Sequence, residues 1–114
     1  MNTTYFRYLM HSYDVYVDPT WNYDVDEISK QLLDFLAYKE HQGDPLTVSK
    51  AMGLKFIASP ATIHRKLDEL REAGLIEQIF EGKNRRTKFL VSTNKALQHF
   101  DRLGKAIEKA APFL

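Results

Sequence analysis

The chain has 114 residues, of which 44% are hydrophobic and 27% charged, with a net charge of +1. This length and composition fit a single globular domain and exclude an intrinsically disordered chain. The chain has no cysteine, which excludes disulfides and thiol nucleophiles and fits a cytoplasmic location. It has no apolar run of membrane-spanning length and no signal peptide, so we expect no membrane partner.

The charges are unevenly distributed along the chain. Residues 1–46 hold three bases and eight acids, a net −5, whereas residues 47–114 hold thirteen bases and seven acids, a net +6. A basic half on a nearly neutral chain favours a surface that faces a polyanion. The alternative is a solvated surface whose charges are unevenly distributed without any binding role, and it would have the same composition.

The first 23 residues hold seven of the fourteen aromatic residues, too many for a solvated tail. We expect a short helix near Thr4–Ser12, followed by an extended piece to Pro19. The aromatic side chains could line a ligand pocket, but a core or a dimer interface is the simpler interpretation. They are Tyr5, Phe6, Tyr8, Tyr13, Tyr16 and Trp21.

Two helices are predicted next. A helical pattern begins at Asp24, and acidic residues crowd its first turn, where the helix dipole favours them. The turn sequence Gly-Asp-Pro at 43–45 ends this helix. Thr47 is placed to cap a short helix that ends near Gly53.

A third helix covers residues 59–73. Ser59 suits its N-cap, Pro60 suits its first turn, and Gly74 suits the left-handed residue that ends a helix. An apolar stripe faces the core at helical spacing. The stripe consists of Ile63, Leu67 and Leu70.

The charge order of this helix is unusual, because its bases precede its acids. The helix dipole favours the opposite order, so the arrangement is explained if the start of the helix faces an anion. Thr62 and Arg65 would then reach base edges or phosphates. An ordinary surface helix with an ion pair between Arg65 and Glu69 is the alternative.

A hairpin and a final helix complete the chain. Residues 76–80 and 88–91 are prone to form strands, and the loop between them together with Lys88 holds four bases within six residues. A basic hairpin tip suits contact with phosphates or the minor groove. From Thr93 a last helix runs towards Ala111 with a heptad-like apolar seam. The seam consists of Ala96, Phe100, Leu103, Ile107 and Ala110.

The sequence therefore predicts a mainly α fold with a small β-hairpin. The order of elements matches a winged helix-turn-helix with flanking N- and C-terminal dimerisation segments. We expect one domain over 1–114. It comprises an aromatic N-terminal dimerisation segment at 1–23, a winged helix-turn-helix core at 24–92 and a C-terminal helix at 93–114.

Several spaced residues in 59–93 form a more specific pattern, and they are Ser59, Thr62, Ile63, Arg65, Leu67, Leu70, Gly74, Leu75 and Ile76. This pattern resembles the MarR family of winged-helix transcriptional regulators. In that family the wing carries Asp-x-Arg, so Arg86 matches the wing arginine and Asn84 replaces the aspartate. The resemblance implies DNA binding by a homodimer joined through its terminal helices. A small-molecule effector is possible, but no residue specifies one.

We therefore predict a regulator that binds double-stranded DNA sequence-specifically, with helix 59–73 in the major groove and wing 81–88 on the backbone or in the minor groove. The predicted DNA-binding residues are Thr47, Ser49, Lys50, Ser59, Ala61, Thr62, His64, Arg65, Lys66, Lys83, Arg85, Arg86 and Lys88. The four histidines lack metal-ligand spacing and no nucleophile motif occurs, so we expect no enzyme, metal or cofactor. The alternative is a winged-helix protein–protein interaction module whose basic wing docks on an acidic partner.

Overall fold

The computed structural model describes residues 3–18, 25–83 and 85–112. The elements are α1 (Thr3–Tyr16), α2 (Glu27–His41), α3 (Val48–Met52), α4 (Pro60–Glu72), β1 (Ile76–Phe80), β2 (Lys88–Ser92) and α5 (Asn94–Ala110). This mainly helical fold with one antiparallel hairpin confirms the predicted fold class. Four residues used in the predictions lie outside the described ranges: Pro19, Trp21, Asp24 and Asn84.

The chain divides into two compact units. Val25–Ala96 form one, here called the winged-helix unit, and Met1–Asp24 with Leu97–Leu114 form the other, here called the terminal unit. Among the described residues, none of the helices combines the length and apolarity needed to cross a membrane.

Side-chain caps begin the three helices of the winged-helix unit. Asp26, Thr47 and Ser59 each accept a hydrogen bond from the backbone N–H three residues later. The predicted caps Thr47 and Ser59 are therefore confirmed. The first of these helices starts at Glu27, later than predicted, because Asp26 occupies the cap position rather than the first turn.

The core of the winged-helix unit brings together α2, α4 and the hairpin. Leu32, Ile63, Leu70, Leu75 and Leu90 are fully buried there. Burying one such side chain stabilises a fold by about 1.5–3 kcal/mol, so this apolar contact is the main force that holds α4 against the hairpin.

The hairpin is tied to the helices through its second strand. β1 pairs with β2 in a register that runs from Ile76 opposite Ser92 to Phe80 opposite Lys88. The backbone N–H of Leu90 donates to the carbonyl of Leu46 at 2.8 Å. The N–H of Ser92 donates to a carboxylate oxygen of α2, Glu40 Oε1, at 2.9 Å. These bonds orient the hairpin, so they also set the direction of the wing.

In the terminal unit, α1 is longer than predicted. Residues 13–16, expected to be extended, are helical. Contacts with α5 support this last turn, because the rings of Tyr16 and His99 meet edge to face at 5.4 Å. Near the other end of α1, Arg7 Nε donates to the carbonyl of Ala110 at 3.1 Å. Local patterning could not show these partners, which lie more than eighty positions away.

The buried face of α5 is displaced from the predicted seam. Ile107 is 46% exposed, whereas His99 and Ala106, which the seam omitted, are buried. The predicted seam assumed an average spacing of 3.5 residues, whereas an α-helix has 3.6 residues per turn. The apolar side chains of α5 therefore do not all lie on the face that the seam defines. Apolar side chains are therefore left at the surface of the terminal unit.

Candidate nucleic-acid interface

The first turns of α4 present a small and basic surface. Ser59, Ala61, His64 and Arg65 are exposed, and Thr62 is half-buried. Ser59 Oγ donates to Thr62 Oγ1 at 3.0 Å, which leaves the Thr62 hydroxyl proton free to donate to another group. Among the described residues, no side-chain partner is found for Arg65, so its guanidinium is available to an outside group.

The acid that follows on α4 is occupied within the chain. Asp68 accepts a hydrogen bond from Arg71 Nη2 at 2.8 Å, and His64 Nδ1 lies 3.7 Å from its other carboxylate oxygen. Arg71 Nη1 in turn donates to Gln78 Oε1 on β1 at 3.0 Å. This chain of contacts joins the middle of α4 to the hairpin, and it offsets the negative charge that follows the basic start.

Lys66 is placed differently from the other predicted contact residues. Its side chain is only 12% exposed and binds the carboxylates of Asp26, the α2 cap, and of Glu69. The hydrogen bond to Asp26, followed in size by the bond to Glu69, raises the pKa of Lys66. The bond between Lys66 and Asp26 also lowers the pKa of Asp26. The ion pair that the alternative interpretation expected between Arg65 and Glu69 is not found among the described residues. Glu69 instead pairs with Lys66, at 3.1 Å.

The wing and α3 enclose a cleft of about 610 Å³, here called the wing cleft. Its lining includes five of the predicted contact residues, which the fold brings together from two separate segments. The lining residues are Thr47, Val48, Ser49, Gln78, Phe80, Arg85, Arg86, Thr87 and Lys88. Two other predicted residues, Lys50 and Lys83, are exposed but do not line this cleft.

Phe80 is a residue of this site that the sequence interpretation missed. The guanidinium carbon of Arg85 lies 5.6 Å from the centroid of the Phe80 ring, and Lys88 Nζ lies 5.4 Å from it. Both distances fall in the range of a cation–π contact. The contact between Phe80 and Lys88 could have been predicted from strand pairing, since the two residues stand directly opposite each other.

His64 on α4 and the wing cleft lie on neighbouring parts of the surface. A second, smaller cleft of about 230 Å³ is lined by His64 and Asp68 of α4 and shares Val48 and Gln78 with the wing cleft. The surface therefore continues from His64 on α4 across Val48 at the start of α3 to the wing cleft.

Among residues 3–18, 25–83 and 85–112, no group of three or more His, Asp or Glu side chains could hold a metal ion. The arrangement instead offers hydroxyl, guanidinium and ammonium donors on one face, which is the donor set that proteins use to contact phosphates and base edges.

Comparison with known proteins identifies the fold. No protein-family model and no curated protein matches the sequence. A MarR-like transcriptional regulator from Thermotoga maritima matches with a TM-score of 0.67 and 16% identity over 96% of this chain and 74% of that chain. S. aureus MepR bound to ethidium bromide has a TM-score of 0.68 and 15% identity over 92% and 70% of the two chains. YusO from Bacillus subtilis has a TM-score of 0.56 and 18% identity over 96% and 74%. The chain therefore has the fold of MarR-like winged-helix regulators, and the resemblance predicted from residues 59–93 is confirmed at this level.

Proposed function

We propose that the protein is a transcriptional regulator that binds double-stranded DNA sequence-specifically as a homodimer. Its α4 would lie in the major groove, and its wing would lie against the backbone or in the minor groove. One observation carries this proposal: the acids nearest the start of α4 are paired within the chain, while Arg65 is exposed there and cations of the wing line the wing cleft. The MarR-like fold supports it.

The side chains of α4 divide into distinct roles. Arg65 is the candidate for bidentate hydrogen bonds to guanine. Ala61 permits close approach, and the Thr62 hydroxyl and methyl suit a phosphate or a thymine methyl group. Lys66 is left out of the proposed contacts, because Asp26 and Glu69 already share its ammonium group.

Phosphate contacts would come from α3 and the wing. Ser49 and Lys50 are exposed on α3, and Lys83 is exposed at the hairpin turn. Cations at such positions bind phosphates without reading sequence, and they orient the protein on the duplex.

The proposed homodimer rests on an apolar stripe on α1. Three of its side chains and Val17, the residue after α1, are spaced 4, 3 and 4 residues apart and are more than half exposed: Phe6 (55%), Met10 (57%), Tyr13 (63%) and Val17 (72%). This spacing is that of a helix–helix seam, and a second copy of the chain is the partner that would cover it. Two α4 helices would then read half-sites separated by about one turn of DNA, roughly 34 Å.

A duplex-DNA titration at several salt concentrations tests the function. Specific binding that weakens steeply with salt is expected, because displaced counterions accompany each phosphate contact. Arg65→Ala should cost about 1–3 kcal/mol on the preferred sequence and little on others. Lys83→Ala is the matched control and should weaken all sequences alike. No duplex binding at low salt would contradict the proposal and favour a protein-interaction module.

The cellular setting follows from the same proposal. A DNA-binding regulator needs access to the chromosome, so we propose that it works in the cytoplasm. MepR was solved with ethidium bromide bound, and no residue of the present chain specifies a small-molecule effector.

A further inference from the structure

Two wing cations share one aromatic ring. Arg85 and Lys88 approach the Phe80 ring at 5.6 and 5.4 Å, although they repel each other and lie in or beside a loop. Without the ring, two such flexible side chains would separate into solvent. The ring therefore holds positive charge together at one place on the wing.

The shared ring lies in the lining of the wing cleft, across from hydroxyl groups of the other segment. Thr47 and Ser49 contribute these hydroxyls, and Thr47 Oγ1 accepts a hydrogen bond from Lys50 N at 3.2 Å, which leaves its own proton free to donate. None of the described residues that line this cleft is acidic. Cationic and hydroxyl donors without an acid suit a phosphodiester anion.

We propose that Phe80 is a positioning residue that holds Arg85 and Lys88 in the wing cleft, where the two cations and the hydroxyls of Thr47 and Ser49 bind one backbone phosphate. The inference rests on the proposed DNA-binding function and deepens it. It assigns this part of the wing to the phosphate backbone rather than to base edges in the minor groove.

Variants of one ring separate this role from simple packing. Phe80→Leu keeps an apolar side chain in the hairpin but removes the π face, whereas Phe80→Tyr keeps the face. The matched control is Phe89→Leu, which removes an equal ring from the partner strand, where Phe89 stands opposite Ile79. Thermal melts establish that each variant is folded.

The titration uses a preferred duplex and a scrambled duplex over a range of salt. Phe80→Leu should weaken both by a similar factor, about two- to tenfold, which is the size expected for losing cation–π contacts. The slope of log K against log salt should become shallower by up to about 0.9 for each lost phosphate contact. Phe80→Tyr should restore affinity and slope, and Phe89→Leu should leave the slope unchanged.

Two results would overturn the inference while the proposed function stands. One is an unchanged salt slope in Phe80→Leu, and the other is a loss confined to the preferred duplex, which would mean base readout. A wild type that binds no duplex would instead refute the proposed function. Without DNA, NMR should show ring-current shifts of the Lys88 side-chain protons that vanish in Phe80→Leu, and their absence in the wild type would refute the positioning role alone.

Discussion

At the scale of the residue, Lys66 accounts for part of the unusual charge order of α4. A positive charge at Lys66, near the helix start, is unfavourable for the isolated helix, but Lys66 has two carboxylate partners, one of them the α2 cap Asp26. Arg65, the next residue back, has no such side-chain partner among the described residues. Adjacent bases in one helix therefore have different roles, one structural and one available for binding.

This difference predicts that substitution by glutamate affects stability at Lys66 but DNA binding at Arg65. Lys66→Glu would put a third carboxylate beside Asp26 and Glu69, so the melting temperature should fall even though the helix dipole would favour the change. Arg65→Glu should alter the free energy of unfolding by less than about 0.5 kcal/mol, as surface substitutions usually do, and should abolish DNA binding. Thermal melts at low salt compare the two. A Lys66→Glu variant that melts higher than wild type would refute the structural role of Lys66.

The same ion pair predicts a pH dependence. Its lowered pKa means that folded Asp26 holds its proton less tightly than the unfolded chain, whose aspartate keeps the ordinary value of 3.8. The stabilisation is therefore present above that pH and is lost as the pH falls through the folded pKa. For Lys66 the raised pKa means that the contribution is present below 10.5 and is lost as the pH rises through the folded pKa.

Asp26→Asn tests this directly, because asparagine caps a helix as well as aspartate but carries no charge. Its melting temperature should lie below that of wild type near neutral pH, and the difference should shrink as the pH drops below 3.8. A difference that stays constant down to about pH 2 would show that the ion pair contributes nothing to the pH dependence.

At the scale of the element, Gly74 connects α4 to the hairpin in a left-handed conformation, with φ of +76°. Its carbonyl accepts a hydrogen bond from Thr93 Oγ1 at 2.6 Å, which joins the end of α4 to the start of α5. A Cβ at Gly74 would meet only the Lys95 side chain, at ordinary contact distance. The backbone conformation, and not the lack of space, therefore requires glycine here.

Gly74→Ala should consequently destabilise the protein by about 1–2 kcal/mol, the cost of placing a Cβ in the left-handed region. Gly104→Ala is the control, because Gly104 lies inside α5 with nothing near the added Cβ. That change should stabilise the helix by about 0.5–1 kcal/mol. Denaturant unfolding measures both, and equal effects of the same sign would contradict this explanation.

At the scale of the whole molecule, the apolar stripe of α1 predicts self-association. Met10 lies near the middle of the stripe, so Met10→Glu would bury a charge in the proposed seam and should shift a dimer towards monomer. Met10→Leu keeps the apolar contact and should remain dimeric. Sedimentation at micromolar concentrations distinguishes the two. A wild type that is monomeric there would count against the homodimer.

Local signals in the sequence were enough to determine much of the winged-helix unit. Ser59 and Thr47 act within one helical turn, and the strand at 76–80 needs only its own pattern and a nearby turn. The basic wing was recognisable for the same reason, since its charges are adjacent in the chain. Such signals act over three or four residues, so no knowledge of packing was needed.

Only the tertiary structure decided which side chains of the site work together. Lys66 meets Asp26 forty positions earlier because α2 packs against α4, and no local spacing encodes that contact. The Phe80 ring contacts Arg85 as well as Lys88 because the hairpin brings both cations to the end of β1. The length of α1 and the covered face of α5 depended likewise on each other. Sequence patterns predict where charged and apolar side chains lie along one element. Packing between elements determines which of those side chains are covered.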